Sequence, residues 1–152
     1  MKIDNFRGRM MIMKNDMEVI QLSIYCDIVM TILKKHKNLS INKILVFSYL
    51  LKKNKFYAKA VYDGRSSKEL VTKALSLLNG LCDDYLNNLL YIFQAVDILI
   101  EAQKIELNEN ILCLKEERYI TTYSESLFWE RVIEDSSKYP DRQFLKEILN
   151  NV

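Results

Sequence analysis

The side chains able to run bond chemistry are few and poorly placed for it. The one histidine, His36, sits inside Lys34-Lys35-His36-Lys37, so a catalytic triad would rest on an imidazole crowded by cations, a poor general base. Cys26, Cys82 and Cys113 are odd in number and far apart, with Tyr25, Leu81, Leu112 and Leu114 beside them. They lack the spacing of a metal site or a disulfide framework and read as buried, reduced thiols of an intracellular protein. Gly8, Gly64 and Gly80 are isolated, so no glycine loop is available to cradle a phosphate. Asp83-Asp84 and Glu116-Glu117 are paired carboxylates, yet adjacent acids in polar turns serve as helix caps or solvated charges. Asp, Glu and Lys suffice for some reactions, but nothing argues for one. The expectation is a protein that is not an enzyme and holds no cofactor or metal.

Binding is better supplied. Lys52, Lys53, Lys55 and Lys59 form the densest basic run, with Phe56, Tyr57, Val61 and Tyr62 among them and Arg65 just beyond. Cations interleaved with aromatics suit a surface that tracks a nucleic-acid backbone. The same pattern also fits a short edge strand whose lysines block unwanted pairing, and both readings stand. A second candidate lies near the C-terminus, in Leu127, Phe128, Trp129, Glu130 and Glu134. Consecutive helical residues point about 100° apart, so Leu127, Phe128 and Trp129 cannot share one narrow stripe. At least one should lie outside the intramolecular seam, with the acids around it suiting a basic rim on a protein partner.

The elements that must position these residues are mostly helical. With 3 glycines and 1 proline in 152 residues, and 49% apolar residues, helices joined by polar turns are favoured over an all-β sandwich. The segment from Tyr85 to Leu114 is expected to organise the rest. Leu86 to Ile100 is apolar over more than one helical face, the pattern of a central buried helix, with Asp83 or Asp84 as its cap. Ile105 and Leu107 then alternate against Leu112 and Leu114 across Asn108-Glu109-Asn110, a hairpin. A helix running directly into a hairpin is the last part of a winged-helix layout. DNA reading needs Arg, Lys, Asn or Gln at base edges. This helix offers Gln94, Asn87 and Asn88 beside Asp97 and Glu101, and only Lys68 and Lys73 on the helix before it add cations, so it looks like core plus a protein-facing surface.

Residues 1–14 are Met-rich and read as an arm or a strand. Asn15 and Glu18 make an imperfect capping box for a helix to about Lys37, carrying Ile20, Ile24, Ile28 and Ile32 and ending in cations suited to a helix C-terminus. Ser40 caps a helix to about Lys53. After the turn Asp63-Gly64-Arg65, Ser66-x-x-Glu69 is a full capping box for a helix carrying Leu70, Val71, Ala74, Leu75 and Leu78, stopped by Asn79-Gly80. Ser124 is the cap candidate for the helix holding Trp129, and Pro140 suits the first turn of a final helix with Phe144, Leu145, Ile148 and Leu149. These two helices are surplus to a winged-helix core and either complete it or dock on a partner. The expected fold class is mainly α with a short β-hairpin, a winged-helix-like domain plus C-terminal helices. The divisions are an N-terminal arm (1–15), a winged-helix-like helical core with hairpin (16–118) and a C-terminal helical extension (119–152).

Charge is uneven along the chain. Residues 1–76 carry 15 Lys/Arg against 6 Asp/Glu, a net of +9, and residues 77–152 carry 7 against 14, a net of −7. Either these are two solvated faces, or a basic side approaches nucleic acid while an acidic side approaches a basic protein. The N-terminus lacks the apolar stretch of a secretory signal, and no run reaches the ~18 apolar residues of a spanning helix, so the expected location is cytoplasmic, with no membrane contact.

Three segments together carry a family resemblance: NKILVFSYLLKKNKF (Asn42–Phe56), SSKELVTKALSLLNG (Ser66–Gly80) and YIFQAVDILIEAQKIELNENILCL (Tyr91–Leu114). Their order and texture resemble the small middle components of bacterial ABC-three-component systems, the group that includes Lamassu-type antiphage defence. The resemblance spans about residues 20–115. It implies a non-catalytic accessory subunit bridging an SMC-like ATPase with coiled coils and an effector, commonly a nuclease. It also implies that the complex senses foreign or damaged double-stranded DNA. It assigns no site residue. From the residues alone, the alternative is a stand-alone winged-helix transcriptional regulator.

Overall fold

A computed structural model of the chain describes residues 2–53, 67–121 and 126–151. The first element, α1 (Lys2–His36), is one helix of 35 residues, about 52 Å long at 1.5 Å per residue. A strand over residues 2–14 is thereby excluded, and Asn15 and Glu18 start no helix, because α1 passes through them unbroken. The reason is local: this stretch holds one glycine, Gly8, and no proline, so no residue forces the backbone to stop. From Tyr25 to Leu33 every residue but the half-buried Asp27 is buried, with Ile28, Val29, Ile32 and Leu33 fully so. Lys37 ends the helix at φ 69, its N–H returning to the Leu33 carbonyl at 2.7 Å, a left-handed closure made without glycine.

Strand β1 (Asn38–Ser40) follows, then α2 (Ile41–Lys53). Ser40 is the N-cap expected of it, its Oγ accepting from the Lys43 N–H at 3.4 Å. This helix is the centre of the molecule: every residue from Lys43 to Leu51 is buried. It packs against α1, β1, α4 (Cys82–Glu101), α5 (Leu127–Ser136) and α6 (Asp141–Leu149). The central position expected for α4 therefore belongs to α2. On α4 only Tyr85, Ile92, Ala95, Val96 and Leu99 are buried, because its far side has no covering element among the described residues. Neither Asp83 nor Asp84 caps α4; Leu81 holds the N-cap position with no side-chain bond, and both acids sit in the first turn, where a negative charge meets the positive end of the helix dipole.

Helix α3 (Ser67–Ser76) buries Leu70, Val71, Ala74 and Leu75, with Leu78 just beyond, and packs on α5 and α6. Gly80 closes the following turn at φ +76, the conformation that Asn79-Gly80 signals. Ser66 and the turn Asp63-Gly64-Arg65 lie outside the described residues, as does the proposed edge strand around Phe56, Tyr57, Val61 and Tyr62.

After α4, the chain passes through Gln103 (φ 59) into β2 (Ile105–Asn108) and β3 (Ile111–Leu114). Ile105 faces Leu114 and Leu107 faces Leu112, the register that the alternation requires. The loop is tighter than Asn108-Glu109-Asn110, since Asn108 still pairs with Ile111 and Glu109 takes φ 57. Strand β1, which three residues could not announce, pairs antiparallel with β3 and completes a sheet of order β1-β3-β2. The fold is mainly α with a short hairpin, and its helix-into-hairpin end is winged-helix-like.

The C-terminal helices close the same core. Trp129, Val132 and Ile133 from α5 and Phe144 and Ile148 from α6 join the residues of α1 to α4 in one buried cluster. The cap of α5 is Ser126, whose Oγ accepts from the Trp129 N–H at 3.4 Å; Ser124, the sequence candidate, lies outside the described residues. Pro140 stands just ahead of α6, its carbonyl accepting from the N–H groups of Gln143 and Phe144.

Candidate partner-binding surface

The exposed side of α4 carries large apolar residues at helical spacing. Leu86, Leu90 and Phe93 are 55%, 61% and 44% exposed, and at i, i+4 and i+7 they form one stripe. Asn87, Gln94, Asp97 and Glu101 are exposed around them, and no Lys or Arg occurs anywhere in α4. A contiguous apolar stripe with a polar and acidic border marks a surface for protein, not for phosphates. The apolar pattern over more than one face hides which residues of this helix form its protein-facing side; the signal for it is the recurrence of Gln94, Asp97 and Glu101 on that side.

The predicted nucleic-acid residues divide. Lys52 and Lys53 end α2 and are engaged at home. The Lys52 ammonium lies 4.7 Å from the centre of the Tyr25 ring and donates to Gln21 Oε1 and to Asn88 Oδ1. Burial, and then the neighbouring Lys53, lower its pKa. Lys53 pairs with Asp84 at 2.8 Å, and the Tyr49 hydroxyl donates to the same carboxylate at 2.6 Å. These hydrogen bonds hold the Asp84 carboxyl below its ordinary pKa. The Tyr25 hydroxyl donates to Asn88 Oδ1 at 2.7 Å, so α1, α2 and α4 are tied by one polar network. Lys55, Lys59 and Arg65 lie outside the described residues.

A second polar cluster clasps α6 to the sheet. Asp141 accepts from Ser40 Oγ at 2.6 Å, from Asn42 Nδ2 at 3.1 Å and from Asn110 Nδ2 at 3.2 Å. Lys43, 6% exposed, donates to the Tyr139 carbonyl at 2.8 Å and stands 4.0 Å from Asp141. Burial lowers its pKa and Asp141 opposes that. These bonds fasten α6 to the sheet and satisfy a buried cation. Ser40, Asn42 and Lys43 lie about a hundred residues from Tyr139 and Asp141 in sequence, and Asn110 lies 31 from Asp141, which is why spacing gives no sign of them. Among the described residues, no three His, Cys, Asp or Glu side chains are grouped to hold a metal, and no helix is long and apolar enough to cross a membrane.

No family model, curated protein or solved structure matches the chain.

The C-terminal candidates are also separated by the fold. Trp129 is 2% exposed inside the chain's own core, with Phe128 half-buried against it at 5.1 Å between ring centres. Leu127, 72% exposed, is the member of the trio that faces outward. Glu130 pairs with Lys35 at 3.2 Å, and Glu134 is exposed. Leu145 and Leu149 on α6 are exposed as well. The lysine cluster that ends α1 has a structural use beyond the helix dipole: Lys34 donates to the Tyr119 carbonyl at 2.8 Å, and Lys37 to Glu117 at 3.1 Å. These bonds fasten the segment leaving the hairpin.

Proposed function

We propose that this chain is a non-catalytic accessory subunit whose work is to hold other proteins together. The observation that carries the reading is the Leu86–Leu90–Phe93 stripe on α4, an apolar surface on the helix just ahead of the hairpin. The resemblance to the small middle components of ABC-three-component systems supplies the partners, an SMC-like ATPase and an effector nuclease of a bacterial antiphage complex. In that setting the subunit bridges the two and helps couple double-stranded DNA sensing to effector control. Any direct DNA contact falls to Lys55, Lys59 and Arg65, since Lys52 and Lys53 are committed to the network around Asp84.

Support for the alternative, a stand-alone winged-helix regulator, comes from the sheet order β1-β3-β2 and the helix-to-hairpin connection. It lacks cations on the exposed face of α4, where base edges would be read. The test is co-expression with the neighbouring genes, with nucleotide and nucleic-acid hydrolysis measured on the purified chain and on the complex. The expected result is co-purification with an ATPase and an effector, and no turnover by the chain alone. Turnover by the pure chain that one Asp or Glu substitution abolishes would overturn the non-catalytic reading.

A further inference from the structure

Toward its N-terminal end α1 is helical from Lys2, and its sequence there has a second periodicity. Ile3, Phe6, Met10, Met13, Met17 and Ile20 follow one another at steps of three and four, the a/d pattern of a heptad repeat. Ile24 takes the next place and packs partly against the core. Met17, Val19 and Ile20 are 63%, 63% and 56% exposed. Met11, Ile12 and Val19 are the apolar residues off the seam. Propensity alone gives a stretch containing Gly8 little stability in water; most helical stability comes from packing an apolar face.

The flanks decide what covers it. The e and g positions beside the seam hold Lys2, Arg7, Arg9 and Lys14 against a single acid, Asp16. In a parallel pair of identical chains, g meets e of the other strand, so Lys2 of one copy would stand beside Arg7 of the other, and Arg9 beside Lys14. Like charges at these positions oppose pairing, and opposite charges set partner choice.

We propose that residues 2–20 of α1 form one strand of a heteromeric coiled coil, whose other strand is a helix of a second protein with an apolar a/d seam and Asp or Glu at e and g. This surface is separate from the α4 stripe and does not depend on which complex the chain serves.

The test uses the full chain and two synthetic strands of about three heptads with Ile and Leu at a and d, one with Glu at e and g and one with Lys. The chain alone should sediment as a monomer. The acidic strand should bind one-to-one, about tenfold or more tighter than the basic strand, and more weakly as salt rises. Met17→Glu with Ile20→Glu should abolish binding without moving the melting temperature, since both residues are exposed. No binding of the acidic strand, or equal binding of both strands, would overturn the proposal. So would a dimer of the chain that these two substitutions dissociate, which would assign the seam to a second copy.

Discussion

At the residue scale, neighbouring positions have opposite energetic roles. Trp129 fills the core and Leu127 faces out. Trp129→Ala is therefore expected to cost about 3–5 kcal/mol of folding stability, and Leu127→Ser less than about 0.5 kcal/mol, measured by denaturant unfolding. The rotation of about 100° per residue requires that one of the trio leave the seam. It does not say which, because that depends on where α3 meets α5. Burial also raises the phenol pKa values of Tyr25, Tyr49 and Tyr85, that of Tyr85 to about 12, with the Asp84 carboxylate adding to the shift at Tyr49. A raised folded-state value means that stability is whole below the ordinary phenol value of 10.0 and is lost as pH climbs above it. Each proton retained by the folded state but released on unfolding steepens the loss by about 1.4 kcal/mol per pH unit. Phenolate absorbance should show these three tyrosines titrating well above pH 10 for as long as the fold is intact; titration near pH 10 with the fold intact would contradict their burial.

At the element scale, helix positions are legible in the sequence and helix surroundings are not. Of the expected stripe Ile20, Ile24, Ile28 and Ile32, the last two are buried, Ile24 is partly buried and Ile20 is exposed; the apolar residues of α3 and the hairpin register appear as expected, since each is a local pattern. Which of two apolar helices is central is not local. Both α2 and α4 are apolar on more than one face, and the covering elements α5 and α6 go to α2. The polar residues of α2 hide this: Lys43 looks solvent-bound in sequence, and its partners come from Tyr139 and Asp141. The same long-range pairing revises the basic run. Alanine at Lys55, Lys59 and Arg65 should lower the log–log salt slope of complex binding to duplex DNA by about 0.9 for each of these side chains that neutralises a phosphate. Alanine at Lys52 and Lys53 should instead reduce thermal stability, because the network around Asp84, Tyr49 and Asn88 loses its cations. A slope unchanged by the first set would return those residues to solubilising charge.

At the scale of the whole molecule, the charge asymmetry is partly an internal fastening. Lys35–Glu130, Lys37–Glu117, Lys43–Asp141 and Lys53–Asp84 each join a cation of the basic half to an acid of the acidic half. Lys35–Glu130 and Lys37–Glu117 are exposed enough to be worth only about 0–1 kcal/mol each, so raising salt should lower the melting temperature modestly. Docking energy is expected to come instead from the uncovered apolar face of α4, at about 25 cal/mol per Å² buried, offset by the cost of association. The most direct measurement is the native mass of what co-purifies with the chain when its neighbouring genes are co-expressed, run beside Leu86→Glu, Leu90→Glu, Phe93→Glu. The expected result is a discrete complex for the wild type and a folded, free 18.0 kDa chain for the variant. A wild-type chain that emerges alone at 18.0 kDa, or a variant complex of unchanged mass, would contradict the claim that α4 is the surface by which this protein holds its partners.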